Sequence, residues 1–244
     1  MLPISGGVCT VCGERIVSPY AFADGANESR CGLCRRIEPA FARAAAYGSY
    51  ESGLRELIHL LKYGGVWPAA NVLGRMLAEA IATLEPSFPA DSIAVIPVPL
   101  HRTKLRQRGF NQAELIARAA MKGFNPARLH LCATVLTRKR DTASQIGLTT
   151  HQRRENLRGA FGVSCPEAVK GREVLVVDDV YTTGATVSEC ARVLRRAGAT
   201  KVWVATVART LKVSAQHVEI SSHYDETEEA SEVREVPLAR AVGG

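Results

Sequence analysis

Val174–Thr186 reads VLVVDDVYTTGAT, and this stretch decides the fold. The four apolar residues Val174 to Val177 have the length and β-branched content of a strand buried on both faces of a parallel sheet. Two adjacent acids follow, Asp178 and Asp179, and then T-T-G-x-T from Thr182 to Thr186 runs into a helix whose apolar face is Val187, Cys190, Ala191 and Leu194. Parallel α/β sheets take ligands at the C-terminal ends of their strands. A helix N-terminus there offers free N–H groups and the positive end of a dipole to an anion. Gly184, followed by Ala185, lets backbone approach a phosphate closely, and the hydroxyls of Thr182, Thr183 and Thr186 add neutral donors. Asp178 and Asp179 can accept hydrogen bonds from a ribose cis-diol, as acids do in dinucleotide-binding folds. A plainer reading, acids that cap a turn beside a common threonine-glycine connector, accounts for the parts singly but not for the whole string.

Working outward, the same alternation of strand and helix recurs. Leu54, Leu57, Ile58 and Leu61 repeat at helical spacing between Tyr50 and Tyr63, ending at Gly64 and Gly65, and a second helix is predicted after Pro68. Ser92–Val98 (SIAVIPV) reads as a short buried strand, and Asn111 with Glu114 as an Asn-x-x-Glu cap opening a helix toward Lys122. Short strands are predicted at Ala133–Leu136 and Gly159–Val163, and a further one at Lys201–Val207 after Gly198 ends the helix. The expected fold class is α/β, a parallel sheet flanked by helices.

The chain has 244 residues, 46% apolar and 23% charged, with no apolar run of membrane-spanning length and no leader-like N-terminus. A cytoplasmic protein without membrane insertion is expected. The net charge of +7 is unevenly spread: His101–Ala160 carries thirteen Lys or Arg against three acids, whereas seven acids face three bases from Leu211 onward. The middle suits polyanions, phosphates or nucleic acid, unless it is simply a solvated basic face. Residues 211–244, acidic and without periodicity, read as a disordered tail.

Cys9, Cys12, Cys31 and Cys34 form C-x2-C, an 18-residue gap and C-x2-C. Two such turns supply four thiolates to one tetrahedral ion, whose binding folds a segment too small for its own core, so residues 1–38 are expected to be a closed structural zinc module. Disulfides are disfavoured in a reducing cytosol, and a redox pair lacks a neighbouring βαβ unit. Cys132, Cys165 and Cys190 are isolated in sequence.

The Val174–Thr186 string resembles the PRPP-binding motif of type I phosphoribosyltransferases. LKYGG (Leu61–Gly65), PVPLHRTKLRQRGFNQA (Pro97–Ala113), TRKRDTASQ (Thr137–Gln145), RRENLRGAF (Arg153–Phe161) and the cysteine-rich segment together resemble the ComF family, in colinear order from Cys9 to Arg209. The resemblance implies a phosphoribosyltransferase-like domain over residues 39–210. It assigns Asp178 and Asp179 to the ribose hydroxyls and Thr182 to Thr186 to the 5-phosphate. His101, Arg102 and Lys104 would lie in a pyrophosphate-binding loop, and Arg138, Lys139, Thr142 and Gln145 in a flexible loop that closes over the site. Arg106, Arg108, Arg153 and Arg154 have no single assignment: helix ends and nucleic acid both suit them.

The reaction so implied displaces pyrophosphate from PRPP by a nitrogen nucleophile, with Mg²⁺ carried mainly on the substrate oxygens. The family is also associated with DNA uptake in competence. A non-catalytic protein that senses PRPP or handles single-stranded DNA is therefore the competing reading, with a partner-binding scaffold behind it. Aromatic residues make up 6% of the chain and are not interleaved in sequence with its basic blocks, which argues against a stacking platform for DNA.

Overall fold

A computed structural model describes residues 7–16, 29–89, 92–142 and 149–211, all within the first of two units, Met1–Lys212 and Val213–Gly244, into which the chain divides. The predicted tail, apart from its first residue, and Gln145 lie outside the described residues. In order, the elements are α1 (Gly32–Arg36), β1 (Arg43–Ser49), α2 (Ser52–Lys62), α3 (Ala69–Ala82), β2 (Ile93–Pro97), α4 (Arg102–Arg108), α5 (Gln112–Met121), β3 (Leu129–Leu131), β4 (Leu136–Arg138), α6 (Thr150–Leu157), β5 (Phe161–Val163), β6 (Glu173–Tyr181), α7 (Ala185–Arg196) and β7 (Lys201–Arg209). No helix among them is long and apolar enough to cross a membrane.

Five strands form one parallel sheet in the order β1-β7-β6-β2-β3, while β4 and β5 pair as a separate antiparallel ribbon. The central β6 is covered on both sides, which is why its apolar residues run without alternation. Val174 and Val176 join one core with Val187, Cys190, Ala191 and Leu194 of α7. Leu175 and Val177 join the other with Leu54, Ile58 and Leu61 of α2, Leu73 and Leu77 of α3, and Ile116 of α5. At the crossing of α3 and α5, a Cβ on Gly74 would come within 2.5 Å of the Ala119 Cβ, so the close approach of the two helices depends on glycine.

The predicted helices and the strands at β2, β6 and β7 are present. Asn111 caps α5 as expected, accepting from the Ala113 amide at 3.1 Å, but Glu114 does not close a capping box: it pairs with Arg118 at 2.7 Å one turn on. The predicted strand at Ala133–Leu136 begins only at Leu136, because Ala133 and Thr134 form the turn that precedes the ribbon. The segment after β2, expected as a loop, is the short helix α4. Its N-cap is His101 and its C-cap is Gly109 at φ 81°. The edge strands β1 and β3 add to the sequence reading.

Candidate functional site

Strand β6 continues past its apolar run, keeping register with β7 from Glu173↔Lys201 through Tyr181↔Arg209. Asp178 and Asp179 therefore stand on the last part of the strand rather than in the loop. The loop itself is Thr182, Thr183 and Gly184. Gly184 is the N-cap of α7 at φ 74° and supplies no side-chain cap, so the helix opens on a bare backbone turn whose dipole suits an anion. The Thr183 hydroxyl is buried and has no hydrogen-bond partner among the described residues. A Cβ at Gly184 would collide with the Tyr181 phenol, so glycine is required by space as well as by backbone angle. From α6, Arg153 Nη1 reaches the Thr182 hydroxyl at 3.4 Å. A buried hydroxyl, a glycine turn and the N-terminus of a 12-residue helix on one loop are the parts from which anion cradles are built.

The two acids do not share one environment. Asp179 forms an ion pair with Lys62, from the last turn of α2, and both side chains are largely buried. Burial works against its charge, but the Lys62 ammonium together with a hydrogen bond to Asp178 holds the Asp179 carboxyl below its ordinary value. Lys62 is held above its own ordinary value because Asp179 outweighs its desolvation. Asp178 feels Lys62 more weakly and also acts on Arg138 and Cys190. Burial, and then the neighbouring Asp179 charge, push its carboxyl well above the usual range. The two neighbouring carboxyls are thus shifted in opposite directions, Asp179 down and Asp178 up.

Adjacent strand ends bring other predicted residues to the same edge. Pro97 of β2 pairs with Val177 of β6, so the chain leaving β2 emerges beside Asp178. There His101 caps α4, with Nδ1 3.4 Å from the Thr103 amide. The same nitrogen lies 3.4 Å from Asp141 Oδ2, so the cap of the neutral ring and the ion pair of the protonated ring are alternatives. Arg102 and Lys104 are exposed on α4. Arg138 ends β4, bonded to Thr142 and stacked 5.5 Å from the centre of the Phe161 ring, and its Nε has no partner among the described residues. Lys139 lies across Gly162, its amide bonded to the Ala160 carbonyl at 2.8 Å.

The four N-terminal sulfurs lie within 4.8 Å of one another, with Cys12 and Cys31 at 3.6 Å. A tetrahedral tetrathiolate site with metal–sulfur bonds of about 2.3 Å spaces its sulfurs about 3.8 Å apart, so this cluster can hold a metal ion. So closely packed, the thiols compete for charge. Hydrogen bonds from Cys12 and then Cys34 hold Cys9 low, while Cys34 is driven up by its bonds to Cys12 and Cys9 and by burial. A divalent cation resolves that competition by favouring thiolate at all four.

Three features escape a reading of the sequence by periodicity. Lys62 stands at i+4 from Ile58, on the apolar stripe of α2, and a lysine on such a stripe is the signal that it has a buried partner. Arg209 closes the largely apolar β7 and is 3% exposed. Tyr63 and Trp67, 72% and 55% exposed, meet α4 and its flank: Arg108 lies 5.3 Å over the Tyr63 ring and Phe110 stacks 4.9 Å from Trp67.

A parallel α/β sheet with a glycine turn, a helix N-terminus and an acidic pair at the end of its central strand defines the class of α/β proteins whose sites lie at the C-terminal ends of their strands. Comparison with known proteins narrows this class. Residues 109–239 match the phosphoribosyl transferase domain. Over 212 residues the chain is 32% identical to the DNA utilization protein YhgH of Escherichia coli O157:H7, covering 84% of this chain and 91% of that one. It is 31% identical to competence protein F of Haemophilus influenzae, covering 83% and 90%, and 23% identical to competence protein ComFC of Bacillus subtilis, covering 80% and 74%. The chain belongs to the ComF family of phosphoribosyltransferase-domain proteins.

Proposed function

We propose that this protein binds PRPP and transfers its 5-phosphoribose to a nitrogen nucleophile, releasing pyrophosphate. The observation that carries this reading is the buried, unpartnered Thr183 hydroxyl beside the uncapped N-terminus of α7, directly after the Asp178–Asp179 pair. In this reading the 5-phosphate lies in Thr182–Thr186 and the ribose diol faces the two acids. His101, Arg102 and Lys104 receive the pyrophosphate, and Arg138, Lys139 and Gln145 belong to a segment that covers it. Residues 39–210 act as the transferase domain and 1–38 as a structural zinc module held by Cys9, Cys12, Cys31 and Cys34.

The chemistry needs no covalent enzyme intermediate. The bond from C1 to the pyrophosphate oxygen breaks as the bond from C1 to nitrogen forms, through an oxocarbenium-like state, and the charge that develops on pyrophosphate meets fixed cations. Mg²⁺, bound mainly through substrate oxygens, would supply further charge neutralisation. Asp179, already paired with Lys62, is a poor metal ligand and a good fixed acceptor for a hydroxyl. The test is pyrophosphate release from PRPP and Mg²⁺ with a panel of bases, amines and nucleic acids. Release abolished by Asp178→Asn with Asp179→Asn is expected. PRPP binding without turnover on any acceptor would leave a sensor in place of an enzyme.

A second reading, a single-stranded nucleic acid partner, is favoured by the Tyr63–Trp67–Phe110 surface with Arg102, Lys104, Arg106 and Arg108 on the adjoining α4. Aromatic and basic residues that are separate in sequence meet here in space, which answers the objection drawn from sequence alone. Stacking contributes about 1–3 kcal/mol per base, so Trp67→Ala should weaken oligonucleotide binding about fivefold or more. Affinity unchanged by that substitution, or insensitive to salt, removes this partner.

A further inference from the structure

We propose that Arg209 joins the cysteine cluster to the phosphate loop, so that metal held by the four cysteines and phosphate held by Thr182–Thr186 strengthen one another. The proposal rests on the reading of that loop as a phosphate cradle. Arg209 lies at the C-terminal end of β7, buried, and far in sequence from everything its guanidinium touches. Nη1 donates to the Cys12 carbonyl at 2.5 Å, while Nη2 donates to Glu14 Oε2 at 2.7 Å and lies 3.7 Å from Cys12 Sγ. On its other side the guanidinium carbon stands 4.3 Å from the centre of the Tyr181 ring. Tyr181 is its register partner on β6, held edge-on by Phe41 at 6.4 Å. The Tyr181 phenol in turn fills the space where any side chain at Gly184 would have to go.

The contacts form one continuous wall, from ligand cysteine to guanidinium to phenol to the glycine that opens α7. Four thiolates around a divalent ion leave a net charge of about −2, and a buried N–H donor to one sulfur both offsets that charge and fixes its geometry, as outer-shell donors do at metal sites. Arg209 satisfies this need and, because its guanidinium is planar, presents a flat face to Tyr181 at the same time. With the metal bound, Arg209 has a reason to stay where it supports Tyr181. With Tyr181 supported, Gly184 is held at the φ of 74° that aims the α7 amides at a phosphate. Coupling between two binding equilibria is reciprocal, so the ligand must protect the metal by the factor by which the metal tightens the ligand.

The experiment uses the full chain purified with its metal, ribose 5-phosphate as the probe, calorimetry for its affinity, and equilibrium competition with a chromogenic chelator for metal affinity. Saturating ribose 5-phosphate is expected to raise metal affinity at least about fivefold, the low end of ordinary coupling. Tyr181→Leu, measured at ligand saturation, is expected to retain the metal and lose the protection. Arg209→Lys keeps the charge but cannot span carbonyl, carboxylate and ring, and should hold both the metal and the ligand less tightly. Ligand that binds without raising metal affinity overturns the coupling and leaves the phosphate reading intact. Protection that persists in Tyr181→Leu overturns this route in favour of general stabilisation. No binding of ribose 5-phosphate at all overturns the phosphate reading itself, and the coupling with it. The wild-type comparison decides the central point even where a variant does not fold.

Discussion

Asp178 and Asp179 are neighbours in sequence, yet their substitution by asparagine should act in opposite directions. Asp179→Asn strands the Lys62 ammonium in a buried position, a loss of about 3 kcal/mol by analogy with other broken buried pairs. Asp178→Asn replaces a carboxyl whose ionisation burial already opposes, and should leave stability at neutral pH unchanged or raised. Urea unfolding at pH 7.5 distinguishes the two. The pH dependence follows from the same shifts. Asp179 is depressed, so its contribution is complete above the unfolded value of about 3.9 and is lost as pH falls through the folded value. Lys62 is raised, so its contribution is complete below about 10.4 and is lost as pH climbs through its folded value. Asp178 has the reverse sign for an acid: the native state keeps a proton that the unfolded chain releases above about pH 3.9. Stability should therefore fall from there up to the folded value, and Asp178→Asn should flatten that slope. Gly184→Ala, strained in backbone and blocked by Tyr181, should cost more than about 1 kcal/mol in the same assay and weaken phosphate binding further.

At the scale of elements, legibility tracked the strength of local pattern. The β6–loop–α7 unit could be read because a continuous apolar run, a phosphate-type turn and a 3.6-residue stripe follow one another, each with its own physical signature. Strand β1, RAAAYGS, could not: alanine has little strand preference, and the segment is extended because β7 offers it an edge to pair with. Helix α4 hid for the opposite reason. Four bases in seven residues give no apolar stripe, and its ends are fixed by the His101 cap and the left-handed Gly109. The cradle was legible residue by residue, whereas Lys62, Arg209 and the Tyr63–Trp67 surface come from distant segments and become visible only when the sheet is assembled. Helix packing supplies a further prediction at this scale. Gly74→Ala puts a methyl against Ala119 and should lower stability by about 1–3 kcal/mol, read as a lower Tm.

Across the whole molecule, the N-terminal thiol cluster shares one core with the sheet, since Cys9, Cys12 and Cys34 belong to the same cluster as Val174 and Val176 of β6, Cys190 of α7, and Val202 and Val204 of β7. Chelation should accordingly weaken more than the cysteine segment: a drop in the Tm of the α/β sheet on metal removal is expected, and an unchanged sheet transition would separate the two. Arg209 meets Cys12 across 197 positions of chain, nearly the full described length. Synthesis on the ribosome runs from the cysteines toward the arginine, and N-terminal parts ordinarily fold first. Here the order is inverted for one contact. Among the described strands β7 is the last translated, yet it lies second in the sheet, between β1 and β6, so these two neighbours are joined only through it. The early cysteine segment therefore gains its Arg209 contacts only once translation has passed that residue.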